Sequence, residues 1–377
     1  MRRIAELVVP DGTAAARRTS GAVGGVDEIR GRRSSSGTRA EIGCAEEDPG
    51  GVGITMGGVA HAKASIGRIT AAGVAAAAML PYLTIKILWM TGSRVGIDDP
   101  GFGDDPALAA LNAVTFGMGA VALTLAVAFT TSWGMRLPAW LVLVPMFVGT
   151  GLLGDVVAVV PLAVLLEGPG LFDSGGPIQP WVYAVVYLAF LVQGVGLMVA
   201  FALYARDRWP AVFTAPLSHS PATATARLHV LFARGVLAVT VPLGGLHLYW
   251  AFGGTAGLAP SATRTLATVV QEGYRGLLTI AAGLALLAIA GARRAVPFWR
   301  PLLVAWLGAG GLFAWGLYGT ATALAATGLG GGPGGAIALV RLVETLTGLA
   351  MAVHGAFLLT ERAAAPRAPG LPTGRAA

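Results

Sequence analysis

Eight stretches of apolar residues recur along the chain after its first 65 positions, separated by polar connectors, and they cover residues 69–91, 107–130, 138–161, 180–204, 228–251, 270–291, 298–325 and 335–360. A hydrocarbon layer about 30 Å thick is crossed by roughly 20 residues rising 1.5 Å each, which is the length of these runs. They are continuous and rich in Ala, Leu and Val, without the period-two alternation of barrel strands. Helices that satisfy their own backbones are therefore predicted. The fold expected is all-α, a polytopic transmembrane bundle of about eight helices.

The polar remainder sets the boundaries. Residues 1–65 mix Gly, Ser, Ala and Arg without periodicity, and their first apolar residues are too few for a signal peptide. They read as a disordered, basic, cytoplasmic tail. An alternative start of translation near Met56 is expected to leave the fold intact, because His61, Lys63 and Arg68 already flank the first span. Four spans fall in 66–206 and four in 227–362; 207–226 reads as a cytoplasmic linker and 363–377 as a second disordered tail.

Arginine placement gives an orientation. Arg136, Arg206, Arg208, Arg227, Arg293, Arg294, Arg300, Arg362, Arg367 and Arg375 all fall on one side of an eight-span threading. The opposite connectors hold only Arg94 and Arg264, with Asp98, Asp99, Asp104, Asp105, Glu167, Asp173 and the glycine-rich stretch 328–335. Positively charged loops stay inside, so both termini are expected in the cytoplasm and the protein in the cell membrane.

Two blocks recur within the chain. Pro81, Lys86, Trp89, Gly92 and Gly96 reappear as Pro242, His247, Trp250, Gly253 and Gly257 at a constant spacing of 161, since 247 − 86 = 161. Pro138, Trp140, Gly149 and Gly151 reappear as Pro297, Trp299, Gly308 and Gly310 at a spacing of 159, since 310 − 151 = 159. Matching order predicts two four-helix repeats, and an even number of spans in each makes them parallel, about an axis along the membrane normal. Trp89 and Trp250 suit an interfacial belt, and Gly92 and Gly253 suit helix C-caps.

Composition narrows the function classes. The chain is 55% hydrophobic and 12% charged, against about 25% charged in ordinary globular domains, so lipid is the solvent for the excess. The net charge of +7 is scattered and forms no basic patch with interleaved aromatics, which argues against nucleic acid. Cys44 is the only cysteine, so no intramolecular disulfide or Cys-x-x-Cys metal site exists within the chain. No zinc-helix, nucleophile-elbow or phosphate-loop motif occurs. Neither a cofactor nor a metal is expected, and the oligomeric state is left open.

Candidate chemistry lies in charges that the span lengths pull below the outer surface. The sixth and eighth helices are too short unless they include Glu272 and Arg275, and Arg341 and Glu344, respectively. Lys86, His247 and Asp155 sit at similar depth, so a layer of opposite charges near the outer face is expected. Within one helix, Glu272 with Arg275 and Arg341 with Glu344 are spaced to neutralise each other. One reading makes this layer an interhelical lattice in a structural or accessory protein. The other, preferred, lets it line an outward-opening site for a small polar solute, with Glu344, Glu272 and His247 as a proton path. A more distant alternative is a membrane oxidoreductase with haem held by His229 and His354. Gln193, beside Gly194 and Gly196, reads as a packing residue.

At 81–93 (Pro-Tyr-Leu-Thr-Ile-Lys-Ile-Leu-Trp-Met-Thr-Gly-Ser) and 137–142 (Leu-Pro-Ala-Trp-Leu-Val) the chain resembles uncharacterised multi-pass membrane proteins of GC-rich actinobacteria. The resemblance covers the chain beyond about residue 65 and implies an inner-membrane address. It implies no activity.

Overall fold

The computed structural model describes residues 64–98, 106–168, 170, 178–217, 224–258, 264–291, 296–327 and 335–364. The readings that concern residues 1–63, including Met56 and Cys44, and the connector residues Asp99, Asp104, Asp105, Asp173, Arg293 and Arg294 lie outside that set, as do Arg367 and Arg375. The described residues form nine α-helices: α1 (Ile66–Met90), α2 (Pro106–Thr130), α3 (Ala139–Glu167), α4 (Pro180–Arg208), the short α5 (Pro210–Thr214), α6 (Ala226–Ala251), α7 (Leu266–Gly291), α8 (Trp299–Thr327) and α9 (Gly335–Ala364). All but α5 are long and apolar enough to cross a membrane.

Much of their apolar surface faces outward. Leu165, Trp140, Leu231 and Leu277 are each more than 60% exposed, an area of greasy surface that water would not tolerate. The chain is a multi-pass membrane protein whose lipid-facing side chains need no protein partner.

Several helices run past the expected spans. Ser65 caps α1, its hydroxyl accepting from the Arg68 amide at 3.3 Å. Pro161 does not stop α3, which continues to Glu167 with Pro145 and Pro161 both inside it. Each interior proline removes one backbone hydrogen bond, a loss that neighbouring helices make tolerable in lipid. Pro81 and Pro242 lie within α1 and α6 in the same way. Pro138 and Pro297 instead come just before α3 and α8, and Trp140 and Trp299 stand in the first turns.

The two ends of the bundle differ in how the chain turns. At one end lie the described glycines with positive φ: Gly92 and Gly96 after α1, Gly168 after α3, Gly253 and Gly257 after α6. There Gln179 N donates to Gly96 O at 2.9 Å, tying the α1–α2 and α3–α4 connections together. The other end carries most of the connector arginines. Arg68, 2% exposed, pairs with Asp207 at 2.6 Å, and Arg362 donates to Pro216 O at 2.8 Å.

Among the described residues three apolar clusters fill the bundle, a smaller one around Leu217, Ile289 and Phe298 and two larger ones. Met79, Phe129, Met146 and Tyr204 centre one, among α1, α2, α3 and α4. Leu243, Leu286, Leu312 and Met351 centre the other, among α6, α7, α8 and α9. Between them α3 crosses α8 where Gly151 meets the backbone of Gly310, so closely that a Cβ on Gly310 would stand 2.7 Å from Phe147 O. Small residues permit this backbone-to-backbone approach, which dispersion and weak polar contacts then hold.

Candidate functional site

α7 carries its polar residues on two faces near the glycine-turn end. Gln271 and Arg275 are four apart and share a side, while Glu272 is turned toward α6. Arg275 donates to Asp155 of α3 through Nε at 2.7 Å and Nη2 at 2.6 Å, and Gln271 Nε2 adds a third bond at 3.1 Å; all three fall on Asp155 Oδ2. The Arg275 guanidinium also lies 4.5 Å above the ring of Trp315 on α8. Asp155 and Arg275 are largely buried, so the pair is screened little by solvent.

Glu272 contributes to a second network. His247 of α6, with no exposed surface, meets Glu272 Oε2 through Nδ1 at 2.5 Å and Glu344 Oε1 of α9 through Nε2 at 2.8 Å. The other oxygen of Glu344 accepts from Arg341 Nη1 at 3.0 Å. Two hydrogen bonds flanking one imidazole need two protons. Either the ring is doubly protonated between two carboxylates, or a neutral ring shares the bonds with one protonated carboxyl. Both arrangements leave the three groups with one net negative charge, and the Arg341 guanidinium offsets it. One imidazole thereby fastens three helices.

The residues expected from sequence to form one layer fall into a four-residue network of Glu272, His247, Glu344 and Arg341, the pair Asp155 and Arg275, and Lys86 by itself. Arg341 and Glu344 bond within one helix, as their spacing suggests. Glu272 and Arg275 each bond across to another helix, His247 and Asp155 respectively, rather than to each other. Lys86 stands apart on α1, its ammonium donating to Asn112 Oδ1 of α2 at 2.5 Å and lying 5.5 Å and 5.3 Å from the Tyr82 and Trp89 rings.

Beside Asp155 lies a cavity of about 270 Å³, walled by Asp155 and apolar residues of α3, Tyr187 of α4, Thr268 and Gln271 of α7, and Trp315 of α8. The Trp315 indole N–H is buried without a hydrogen-bond partner. Such a donor carries a desolvation cost until something accepts from it.

Sequence reasoning missed Asn112, Gln271, Tyr187 and Trp315. Asn112 carried a usable signal, since it is the only asparagine of the chain and sits in an apolar run. The others are neutral side chains whose partners lie on distant helices.

His229 and His354 come together at the arginine-rich end, their ring centroids 4.9 Å apart and edge to face. His229 Nε2 bonds Glu361 at 2.8 Å, and His354 stacks on Phe232 at 4.1 Å. Rings in edge contact leave no layer for a porphyrin between them, so this arrangement does not fit haem ligation by the pair. No group of three or more His, Cys, Asp or Glu suited to a metal ion occurs among the described residues. Gln193 is buried on α4, its side-chain oxygen without a partner, and the neighbouring Gly194 and Gly196 contact α3 and α1.

No protein-family model, curated protein or solved structure matches the chain.

Proposed function

We propose that this membrane protein binds a small polar solute in the cavity beside Asp155, as a transporter-like or solute-binding protein. The observation that carries this reading is the cavity wall itself: Asp155, Gln271 and Trp315 line one small space among apolar side chains. Pockets of that kind, mostly apolar with a few convergent polar groups, are where ligands bind. Glu272 and Arg275 place the His247 network one helix turn from the same wall, and a proton held between His247, Glu272 and Glu344 is available to couple to the solute.

The architecture we infer is two parallel repeats, α1–α4 and α6–α9. Supporting it, Trp89 Nε1 donates to Val95 O and Trp250 Nε1 to Ala256 O, both at 2.9 Å and again 161 residues apart. Gly92 and Gly253, then Gly96 and Gly257, have matching positive φ. Gly151 and Gly310, equivalent under the 159 spacing, touch each other, as residues near an axis between two halves would. The cavity then sits between the halves, where alternating-access transporters hold their substrates. The arginine bias puts both termini in the cytoplasm and the cavity toward the outside, in the inner membrane that the actinobacterial resemblance suggests.

The test is a thermal-shift screen of amino acids, sugars and other small polar solutes on the full chain in detergent. A true ligand raises the melting temperature of the native protein; Trp315→Phe should remove that rise while leaving the ligand-free transition in place, and Gln271→Leu should remove it on top of a small loss from its bond to Asp155. Orientation is checked with Asp98→Cys and Arg227→Cys in a Cys44→Ser background, which should label from opposite sides of the membrane. Labelling from one common side would refute the threading.

A structural reading has its own support, because every charge of the network has a side-chain partner. Under it no solute shifts the transition, and Glu344→Gln only destabilises.

A further inference from the structure

The strongest unassigned feature is the ammonium of Lys86. It lies four residues before the end of α1, about 6 Å inside the helix terminus. Its position is fixed: one N–H is used by Asn112 Oδ1 at 2.5 Å, and the aromatic rings of Tyr82 and Trp89 lie 5.5 Å and 5.3 Å away. Trp89 is itself held by its bond to Val95 O. Two ammonium N–H groups remain after the one that Asn112 accepts.

Neither an amide oxygen nor an aromatic face neutralises the charge. Among the described residues, the carboxylates toward the same end have other partners: Asp155 pairs with Arg275, Glu272 and Glu344 with His247, while Asp98 accepts from the Gln179 amide and Glu167 from the Ala267 N–H. The matching place on α6 shows what is missing. There the His247 ring is met by carboxyl groups from two helices, whereas α2 offers only a neutral amide.

We propose that Lys86 and Asn112 seat the phosphate of a net-anionic phospholipid from the leaflet at the glycine-turn end. The surroundings point to lipid as the source, rather than free phosphate. Ile87 and Met90 beside the ammonium are about half exposed, and Leu80 on α1 and Val114 and Met118 on α2 present apolar surface deeper along the same two helices, where acyl chains run. Depth, charge and apolar flanks together are the chemistry of a phospholipid at an interface. This seat is independent of the solute cavity and of which leaflet the end faces.

The experiment is lipid titration of the full chain in neutral detergent, read by native mass spectrometry and thermal shift, with phosphatidylglycerol, phosphatidylcholine and inorganic phosphate as probes. Phosphatidylglycerol should bind tightest, and Lys86→Gln should weaken it by about fivefold, with no change in phosphatidylcholine binding. Asn112→Leu, which keeps the charge but loses its anchor, should weaken phosphatidylglycerol less than Lys86→Gln does. Equal phosphatidylglycerol binding by wild type and Lys86→Gln would overturn the proposal. So would inorganic phosphate reproducing the whole thermal shift, which would make this a site for a free anion. If Lys86→Gln fails to fold, unchanged binding by Asn112→Leu overturns it instead.

Discussion

The helix pairs α1–α2 and α6–α7 end alike and are charged differently. Each first helix of the pair finishes with a tryptophan whose N–H reaches a carbonyl six residues on, with glycines of positive φ after it. Three residues before the tryptophan, α1 has Lys86 bonded to a neutral amide, whereas α6 has His247 enclosed by two carboxylates and, through Glu344, by Arg341. The difference teaches that backbone geometry and side-chain chemistry vary separately here. The glycines and tryptophans set the turn, and the residue at the polar position decides whether its partner is a pair of carboxylates or a neutral amide.

Breaking the closed site should have the largest effect. Glu344→Ala strips His247 and Arg341 of a buried partner, and removal of one member of a buried ion pair costs about 3–5 kcal/mol; the melting temperature in detergent should fall accordingly, while Glu344→Gln, which keeps one bond, falls less. The glycine crossing comes next. Gly151→Leu forces a side chain against the Gly310 backbone, and overpacking of this kind costs about 1–3 kcal/mol; an unchanged transition would show that α3 and α8 are not in contact.

The paired tryptophans sharpen the comparison further. Trp89→Phe and Trp250→Phe each lose one hydrogen bond, worth about 0.5–1.5 kcal/mol, and should shift the transition by similar amounts. Unequal shifts would separate the two turns energetically. The smallest effect is expected from Lys86→Gln in lipid-free detergent, at most about 1 kcal/mol, since no opposite charge loses its partner.

Much of the fold was legible because the bilayer imposes a simple rule, so eight long apolar runs became eight long apolar helices. The ends were less legible: α3 continues past Pro161 because a single missing N–H in a packed helix is cheaper than ending a span inside lipid. Of the polar residues, Arg341 with Glu344 was readable from spacing within one helix. Glu272 with Arg275 had the same spacing, yet each found a stronger partner across a helix interface, and nothing local to α7 records that Asp155 and His247 stand opposite. Trp315 and Tyr187 could not be found from sequence at all, since an aromatic residue in an apolar helix looks the same on a cavity wall as against lipid.

The clasp at His247 also has a kinetic meaning. Because one ring is bonded to α7 and α9 from its place on α6, none of these helices can withdraw alone without exposing an unpaired ionisable group, so they are expected to open as one cooperative unit. Amide hydrogen exchange near residues 247, 272 and 344 should then converge on a common slow rate, while the outer turns of α1 and α2, joined to each other by Lys86–Asn112 but to no third helix through that bond, exchange sooner.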